Sequence, residues 1–167
     1  SSVIQNRPDI FQSMGQLEPL SDLERAGLFR NLIDTGDYQV IRPNGAPYLY
    51  IRDLVSSIAN LKRESVSPEN FAKLLFENPP DDPKDKYYQR NLDLVKVYED
   101  YNSELRKRNR YDFEDMISFV TQAFGKDKDL LLEHQEKFLY ILVDEFQDTN
   151  AAQNALLLHL SSYWGQN

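Results

Sequence analysis

Two adjacent carboxylates, Asp144 and Glu145, directly follow an uninterrupted apolar run from Phe138 to Val143. The run is too short to cross a membrane, and it has the character of a strand buried on both faces of a parallel sheet. Open α/β sheets place their ligand chemistry at the carboxyl ends of such strands. One acid there can hold Mg²⁺, usually through water, and the other can orient or deprotonate an attacking water. The pattern therefore favours a nucleotide site.

The same residues have a plainer interpretation, in which solvated acids end a strand and a helix begins at Thr149. The longer string is more specific. From Leu142 to Asn150 the chain closely resembles motif II (Walker B) of the UvrD/Rep/PcrA family of superfamily 1 helicases, with the sequence Leu-Val-Asp-Glu-Phe-Gln-Asp-Thr-Asn. Gln153 also falls where that family often carries a glutamine. We refer to residues 142–150 as the motif II segment.

A weaker resemblance extends upstream, so that the similarity covers about residues 20 to 160. The segments 97–101 and 111–117 are similar to the helix and the Asp-Phe element that precede motif II in these helicases. The segments 58–64 and 66–71 are similar to a lysine-containing helix and a Ser-Pro element of their 1B subdomain.

The resemblance implies a mainly α fold in two parts. Residues 1–136 would form a helical 1B-type subdomain, with a proline-rich linker at about 78–85. Residues 137–167 would supply one strand and one helix of the RecA-like α/β motor domain, called 1A, and would carry the motif II segment.

The phosphate-binding loop of a P-loop enzyme is absent from the sequence. That loop needs the pattern G-x-x-x-x-G-K-[ST], in which backbone N–H groups and a lysine grip the phosphates. The single Gly-Lys pair is Gly125-Lys126, which Asp127 follows, and Val120 stands where the first glycine is required. We therefore expect a fragment of a longer helicase, which by itself would neither bind ATP tightly nor hydrolyse it.

The resemblance also implies roles for individual residues in the longer protein. Asp144 would hold Mg²⁺ through water beside bound ATP, and Glu145 would activate the water that attacks the γ-phosphate. Gln147 and Asp148 would contact the nucleotide site and link its state to neighbouring motor motifs. The segment 112–113 would position the insertion against the motor core and the DNA path.

The implied function is ATP-driven movement on single-stranded DNA and unwinding of duplex DNA, in DNA repair, replication or recombination. The partners would be single-stranded and duplex DNA and the remaining helicase domains 1A, 2A and 2B. Two alternatives stay open: a subunit of a helicase–nuclease of the AddA or RecB kind, and a non-enzymatic helical interaction module.

The formal net charge of −8 argues against a generally basic nucleic-acid binder, so any contact with DNA must be local. Cations cluster at two predicted helix ends, where they would either offset the helix dipole or contact phosphates. These candidates for nucleic-acid contact are Arg106, Lys107, Arg108, Arg110, Lys62 and Arg63.

Composition indicates a folded chain: of 167 residues, 41% are hydrophobic and 12% aromatic. The absence of cysteine excludes disulfides and thiolate metal sites, and it fits a cytoplasmic protein. With two histidines, His134 and His159, a histidine-built metal site is not expected. No stretch suggests a membrane span, and no membrane partner is expected.

Apolar periodicity and capping residues predict the helices. They are expected at about 21–35, 49–63, 68–76, 86–108, 113–124 and 128–136, with a last helix capped by Thr149. Residues 38–41 are predicted to form a short extended piece. Most aromatic residues occur at the spacing of the apolar face of a helix, where they would pack in the core. This pattern is weakest for Tyr48, Tyr50 and Tyr87. They are the candidates for base stacking.

The predicted strand has a physical consequence. A strand buried on both faces needs neighbours on both edges to satisfy its N–H and C=O groups. Those neighbours would come from parts of the motor domain outside this chain. We therefore expect the segment 138–148 to be poorly ordered, to pair irregularly, or to borrow a partner from another molecule.

Overall fold

The computed structural model describes residues 17–138 and 140–162, and these residues are mostly helical. Their helices are α1 (Asp22–Thr35), α2 (Ile51–Arg63), α3 (Pro68–Glu77), α4 (Lys86–Lys107), α5 (Phe113–Lys126), α6 (Lys128–Glu136) and α7 (Ala151–Ser161). Two short strands, β1 (Glu18–Pro19) and β2 (Arg110–Tyr111), and a 3-10 turn (Phe146–Asp148) complete the regular structure. The mainly helical prediction is confirmed, and the helix bounds agree with it to within a few residues.

Side-chain caps fix where the helices begin. Ser21 and Asp112 each form a capping box that satisfies N–H groups of the first turn, before α1 and α5. Ser67 caps α3, and Pro68 follows at the first helical position, where its missing N–H costs nothing. These three starts were predicted. The last one was predicted wrongly: Asn150, not Thr149, caps α7, in a capping box with Gln153.

The chain divides into two compact units. The first, which we call the helical unit, comprises residues 18–62 and 66–111. Its core is formed by one face of each of α1, α2 and α4, and the rings of Phe29 and Tyr101 stack there with centroids 4.9 Å apart. The fully buried side chains of this core include Leu28, Phe29, Ile33, Ile41, Ile58, Val97 and Tyr101.

A buried carboxylate holds the loop after α1. Asp93 is only 2% exposed and accepts the backbone N–H groups of Gln39, Val40 and Ile41, at 3.1, 2.6 and 3.2 Å. The extended piece predicted at residues 38–41 is therefore wrong, because these N–H groups bind a side chain instead of a neighbouring strand. Tyr38 closes the loop from its other side, and its hydroxyl donates to Asp100 at 2.9 Å.

The two ends of the helical unit meet in a pairing that the sequence does not indicate. β1 and β2 pair in parallel, with Glu18 opposite Arg110 and Pro19 opposite Tyr111. The N–H of Leu20 also donates to the carbonyl of Tyr111 at 2.8 Å. The first and last residues of this unit therefore lie side by side.

The second unit, which we call the motif unit, contains α5, α6 and α7; its described residues are 17, 63–65, 112–138 and 140–162. Its small core consists of Val120, Ala123, Phe124 and Leu130, with Leu156 and Leu160 of α7 packed against it. Gln135 donates to the carbonyl of His159 at 2.6 Å and thereby ties the end of α6 to α7.

The predicted strand is not formed in this chain. The described residues from Phe138 to Val143 adopt no regular structure, and Tyr140 and Leu142 are 88% and 96% exposed. Burial on both faces was expected only beside strands from the rest of the motor domain, and the lack of a regular strand here agrees with the expectation for the segment 138–148. The physical reason is that the described residues provide no strand beside this segment, so its backbone cannot enter a sheet.

No helix within the described residues is both long enough and apolar enough to span a membrane.

Candidate functional site

The motif II segment forms a tight turn that presents its acids to solvent. Asp144, Glu145 and Asp148 are all exposed. The N–H of Glu145 donates to Oδ1 of Asp144 at 3.0 Å, and the N–H of Asp148 donates to the carbonyl of Glu145 at 2.8 Å. The side-chain amide of Gln147 donates to the Glu145 carboxylate. The predicted site residues of this segment thus lie together, around one turn.

Glu145 has an uncommon backbone conformation. Its φ of 49° and ψ of 45° lie in the left-handed region, which a residue other than glycine occupies at a cost of order 1–3 kcal/mol. Such conformations cluster at functional sites. The residue predicted to activate water is therefore one of three non-glycine residues with positive φ among the described residues.

The carboxylates fit Mg²⁺ only as part of a larger site. Mg²⁺ prefers oxygen ligands and is usually bound by one or two carboxylates together with substrate phosphates and water. Within residues 17–138 and 140–162, no group of three or more potential ligand side chains is arranged to hold a metal ion. Asp144 could therefore hold Mg²⁺ only together with a nucleotide and bound water.

Thr149 and Asn150 connect this turn to α7. The Thr149 hydroxyl contacts the carbonyl of Phe146 at 2.7 Å and Oδ1 of Asn154 at 2.8 Å. Asn150 and Gln153 exchange backbone-to-side-chain hydrogen bonds of 2.9 and 3.1 Å in the capping box. These contacts give a structural reason for the glutamine at position 153, namely that it satisfies the first free N–H before the helix.

A cavity of about 350 Å³ lies beside the turn, within the motif unit. Arg63 donates there to the nearly buried carboxylate of Glu114 at 3.1 Å. Phe113 keeps 66% of its surface exposed. The residues that line the cavity are Arg63, Phe113, Glu114, Ile117, Asp148, Asn150, Ala152 and Gln153. The cavity thus brings the segment 112–113 close to the end of the motif II segment.

The basic cluster at the end of α4 is largely paired with acids. Lys107 and Arg108 both contact Glu104, at 2.8 and 3.3 Å, and the Lys107 bond holds the pKa of that carboxyl below its usual value. Arg110 pairs with Glu18 and, at 3.2 Å, with Glu24. Arg106 is exposed in the same last turn. Pairing of this kind lowers the positive potential that a phosphate would meet.

The two cations at the end of α2 have different surroundings. Lys62 is only 7% exposed, and its Nζ lies 5.2 Å from the centroid of the Tyr101 ring. This position favours a packing role over contact with DNA. Arg63 is about half exposed and forms the ion pair with Glu114.

Comparison with known proteins identifies the family. The model of the UvrD/REP helicase N-terminal domain matches residues 5–164 of the chain. The chain belongs to the UvrD/REP helicase family. This UvrD/REP-type chain is 34% identical over 149 residues to the ATP-dependent DNA helicase PcrA of Bacillus subtilis, a match that covers 84% of the chain and 19% of that protein.

Other UvrD/REP relatives give the same picture. PcrA of Staphylococcus aureus is 29% identical over 154 residues, with 84% of the chain and 19% of that protein covered. The putative ATP-dependent DNA helicase YjcD of Bacillus subtilis is 39% identical over 69 residues, which are 41% of the chain and 9% of YjcD. The chain spans about a fifth of the length of the PcrA relatives it matches.

Sequence reasoning named Tyr87 as a candidate for base stacking but missed the polar residues near it in the helical unit of this UvrD/REP chain. With Tyr87 and the buried Leu54 and Leu94, these residues line a groove between α2 and α4; they are Asp53, Ser56, Ser57, Asn60, Arg90 and Asn91. Their spacing was a usable signal, because positions 53, 56, 57 and 60, and likewise 87, 90, 91 and 94, each lie on one helix face.

Proposed function

We propose that this chain is part of an ATP-dependent DNA helicase that moves along single-stranded DNA and separates duplex DNA in repair, replication or recombination. The observation that carries the proposal is the motif II segment, whose two leading acids are exposed at one turn in a chain of the UvrD/REP family. The relatives named ATP-dependent DNA helicase support the same activity.

Within that helicase, Asp144 would hold the Mg²⁺ that accompanies ATP by accepting a hydrogen bond from a water bound to the ion. Glu145 accepts a proton from the water that attacks the γ-phosphate. Gln147, which donates to the Glu145 carboxylate, and Asp148 connect the occupied site to neighbouring parts of the motor. The Mg²⁺ ion that Asp144 would hold would supply positive charge beside the phosphate oxygens.

We propose that the helical unit is the main part of the 1B-type insertion, a narrower range than the residues 1–136 expected from the sequence. Its first and last residues, Glu18 and Tyr111, lie at the paired strands β1 and β2, which is the geometry expected of a segment inserted into another domain. The segment 112–113 follows directly and carries the exposed Phe113 beside the motif II segment. The position of this segment directly after the helical unit and the exposure of Phe113 both support its placement along the DNA path.

The two units differ in the balance of cationic and acidic residues, which bears on where DNA would bind. The helical unit has fourteen lysines and arginines and fifteen acids. The motif-unit residues 63–65 and 112–167 contain four lysines and arginines and eleven acids. Such an acidic surface repels DNA, so DNA contact made by this chain falls more readily on the helical unit.

The test uses the full-length protein. We expect an ATPase that single-stranded DNA stimulates, and the substitution Glu145→Gln should lower kcat by about 10²–10⁴ with little change in KM for ATP, because only the transition state needs the base. Glu136→Gln is the matched control, since Glu136 is an exposed acid of the same unit. An unchanged kcat in Glu145→Gln, or no ATPase in the wild-type protein, would refute the proposal.

The 167-residue chain itself is proposed to be inactive toward ATP, because its sequence lacks the phosphate-binding loop. Isothermal titration of this chain with MgATP should give no measurable heat of binding at millimolar ATP.

A further inference from the structure

The groove between α2 and α4 is lined mainly by polar residues beside the buried faces of the two helices. The apolar face of α2, which includes Leu54 and Ile58, is buried in the core of the helical unit. Next to that face α2 presents Asp53, Ser56, Ser57 and Asn60, and all of these except Ser57 are exposed. The groove has a volume of about 390 Å³ and lies entirely within the helical unit.

The side of the groove formed by α4 carries groups that suit planar ligands. Tyr87 lies at the rim with 77% of its surface exposed, although a ring of this size is usually at least half buried. Arg90 lies below it, one helical turn on, with its guanidinium 4.3 Å from the centroid of the Tyr50 ring. Asn91 also lines the groove, and its side-chain amide can both donate and accept hydrogen bonds.

The charge in the groove is balanced. Arg90 donates to Oδ2 of Asp53 at 2.8 Å, and these two are the only charged residues that line it in the described structure. A ligand that binds mainly through phosphates would meet one cation that is already paired. A ligand that binds through flat, polar rings would meet an exposed aromatic face, hydroxyls and amides.

These features favour bases of nucleic acid over a protein segment. Protein partners gain most of their affinity from apolar or aromatic anchors buried in pockets. The apolar members of this groove, Leu54 and Leu94, already belong to the core and offer no such pocket. Single-stranded nucleic acid, in contrast, binds by stacking its bases on exposed aromatic rings beside cations that contact its backbone. In this groove the exposed ring is Tyr87, and the one lining cation in the described structure is Arg90.

We propose that the α2–α4 groove is a binding site for single-stranded nucleic acid, in which Tyr87 stacks on a base and the Asn and Ser side chains contact base edges or sugars. Two helical turns span about 10 Å, which is room for roughly two to three nucleotides. The inference rests on the DNA binding that is part of the proposed function. It adds a site where binding depends more on the bases than on the phosphates.

The test measures equilibrium binding of a fluorescein-labelled deoxythymidine 12-mer to the 167-residue chain by anisotropy at low salt. A 12-mer of the same charge that lacks bases is the comparison ligand. Binding through bases predicts that the abasic strand binds at least about fivefold more weakly, since stacking contributes about 1–3 kcal/mol per base. Equal affinity for the two strands would overturn the proposal.

Substitutions locate the binding in the groove. Tyr87→Ala should weaken binding of the 12-mer about five- to 150-fold, the range that corresponds to loss of one stacked base. Phe76→Ala is the matched control, because Phe76 is also an exposed aromatic residue of the helical unit, 69% exposed, and does not line the groove. Circular dichroism should show that both variants keep their helix content. An equal effect of the two substitutions would overturn the proposal.

Salt dependence separates this site from the basic cluster at the end of α4. With at most one phosphate neutralised, log Kd should change with log salt with a slope no steeper than about 0.7. Asp53→Asn frees Arg90 for a phosphate, so this variant should bind more tightly and with a steeper slope. A wild-type slope of about 2 or more would assign binding to the basic cluster instead, and absence of binding would leave a protein as the occupant; either result overturns the proposal.

ATP takes no part in these measurements. Loss of groove binding and loss of helicase activity can therefore be told apart.

Discussion

The buried carboxylate of Asp93 is the feature whose removal should have the largest local effect. It accepts three consecutive backbone N–H groups from the loop after α1, at 2.6 to 3.2 Å, and hydrogen bonds to a charged acceptor contribute about 1.5–3 kcal/mol each. In the described structure no backbone carbonyl accepts these three N–H groups, so we expect the conformation of the loop to depend on the Asp93 side chain.

The expected cost follows from the burial of each donor. Gln39 is exposed, so its N–H can return to water at little cost. Val40 is half-buried and Ile41 is fully buried, and each unsatisfied buried N–H costs about 1–3 kcal/mol. Asp93→Ala should therefore lower the free energy of unfolding by about 3–5 kcal/mol. Asp93→Asn keeps one acceptor oxygen and should cost about 1–2 kcal/mol.

The assay combines urea unfolding with amide hydrogen exchange. Unfolding gives the total change in free energy, and exchange followed by NMR should show lost protection at residues 39–41. Asp100→Asn is the matched control, because Asp100 is exposed and accepts a single hydrogen bond, from Tyr38. Its cost should stay below about 1 kcal/mol.

Two results would refute this reasoning. One is a cost for Asp93→Ala no larger than that for Asp100→Asn. The other is full protection of the three amides in Asp93→Ala, which would mean that the loop is held by its apolar side chains and not by the carboxylate.

Two further predictions concern the same end of α1. Gly36→Ala should cost about 1–3 kcal/mol, because a Cβ at this position would overlap the ring of Tyr38 although the backbone itself is in an ordinary extended conformation; a neutral result in urea unfolding would mean that the ring moves freely. Burial and the hydrogen bond to Asp100 raise the pKa of Tyr38 above that of a free phenol. The folded state therefore binds this proton more tightly than the unfolded state, so stability is fully present below about pH 10 and should fall as the pH rises above it. Tyr38→Phe should flatten that fall, and an unchanged profile would contradict the assignment.

Sequence alone was sufficient for the helices and for the family. Capping residues such as Ser21, Ser67 and Asp112 act on the N–H groups of the first turn next to them, so their effect is local and can be predicted from the order of residues. The motif II segment could be identified for a similar reason, because phosphate and metal chemistry needs particular residues at consecutive positions.

Strand formation, by contrast, could not be decided locally. The apolar run before Asp144 has the composition of a buried strand, yet a strand exists only where another backbone lies beside it, and the described part of this chain provides none there. The short pairing of Glu18–Pro19 with Arg110–Tyr111 shows the converse, since two unremarkable segments pair because the fold brings them together.

Tertiary structure also decided which polar residues are buried and which face a groove. Asp93 is an acid on a long helix like many others in the sequence, and only the return of the loop after α1 makes it an acceptor of three N–H groups. Lys62 is buried against Tyr101, while its neighbour Arg63 stays half exposed beside Glu114. These differences depend on contacts between residues far apart in the chain. Residue order therefore fixed the helices and the chemistry of the motif II segment, whereas burial, pairing and the groove depend on which distant surfaces meet.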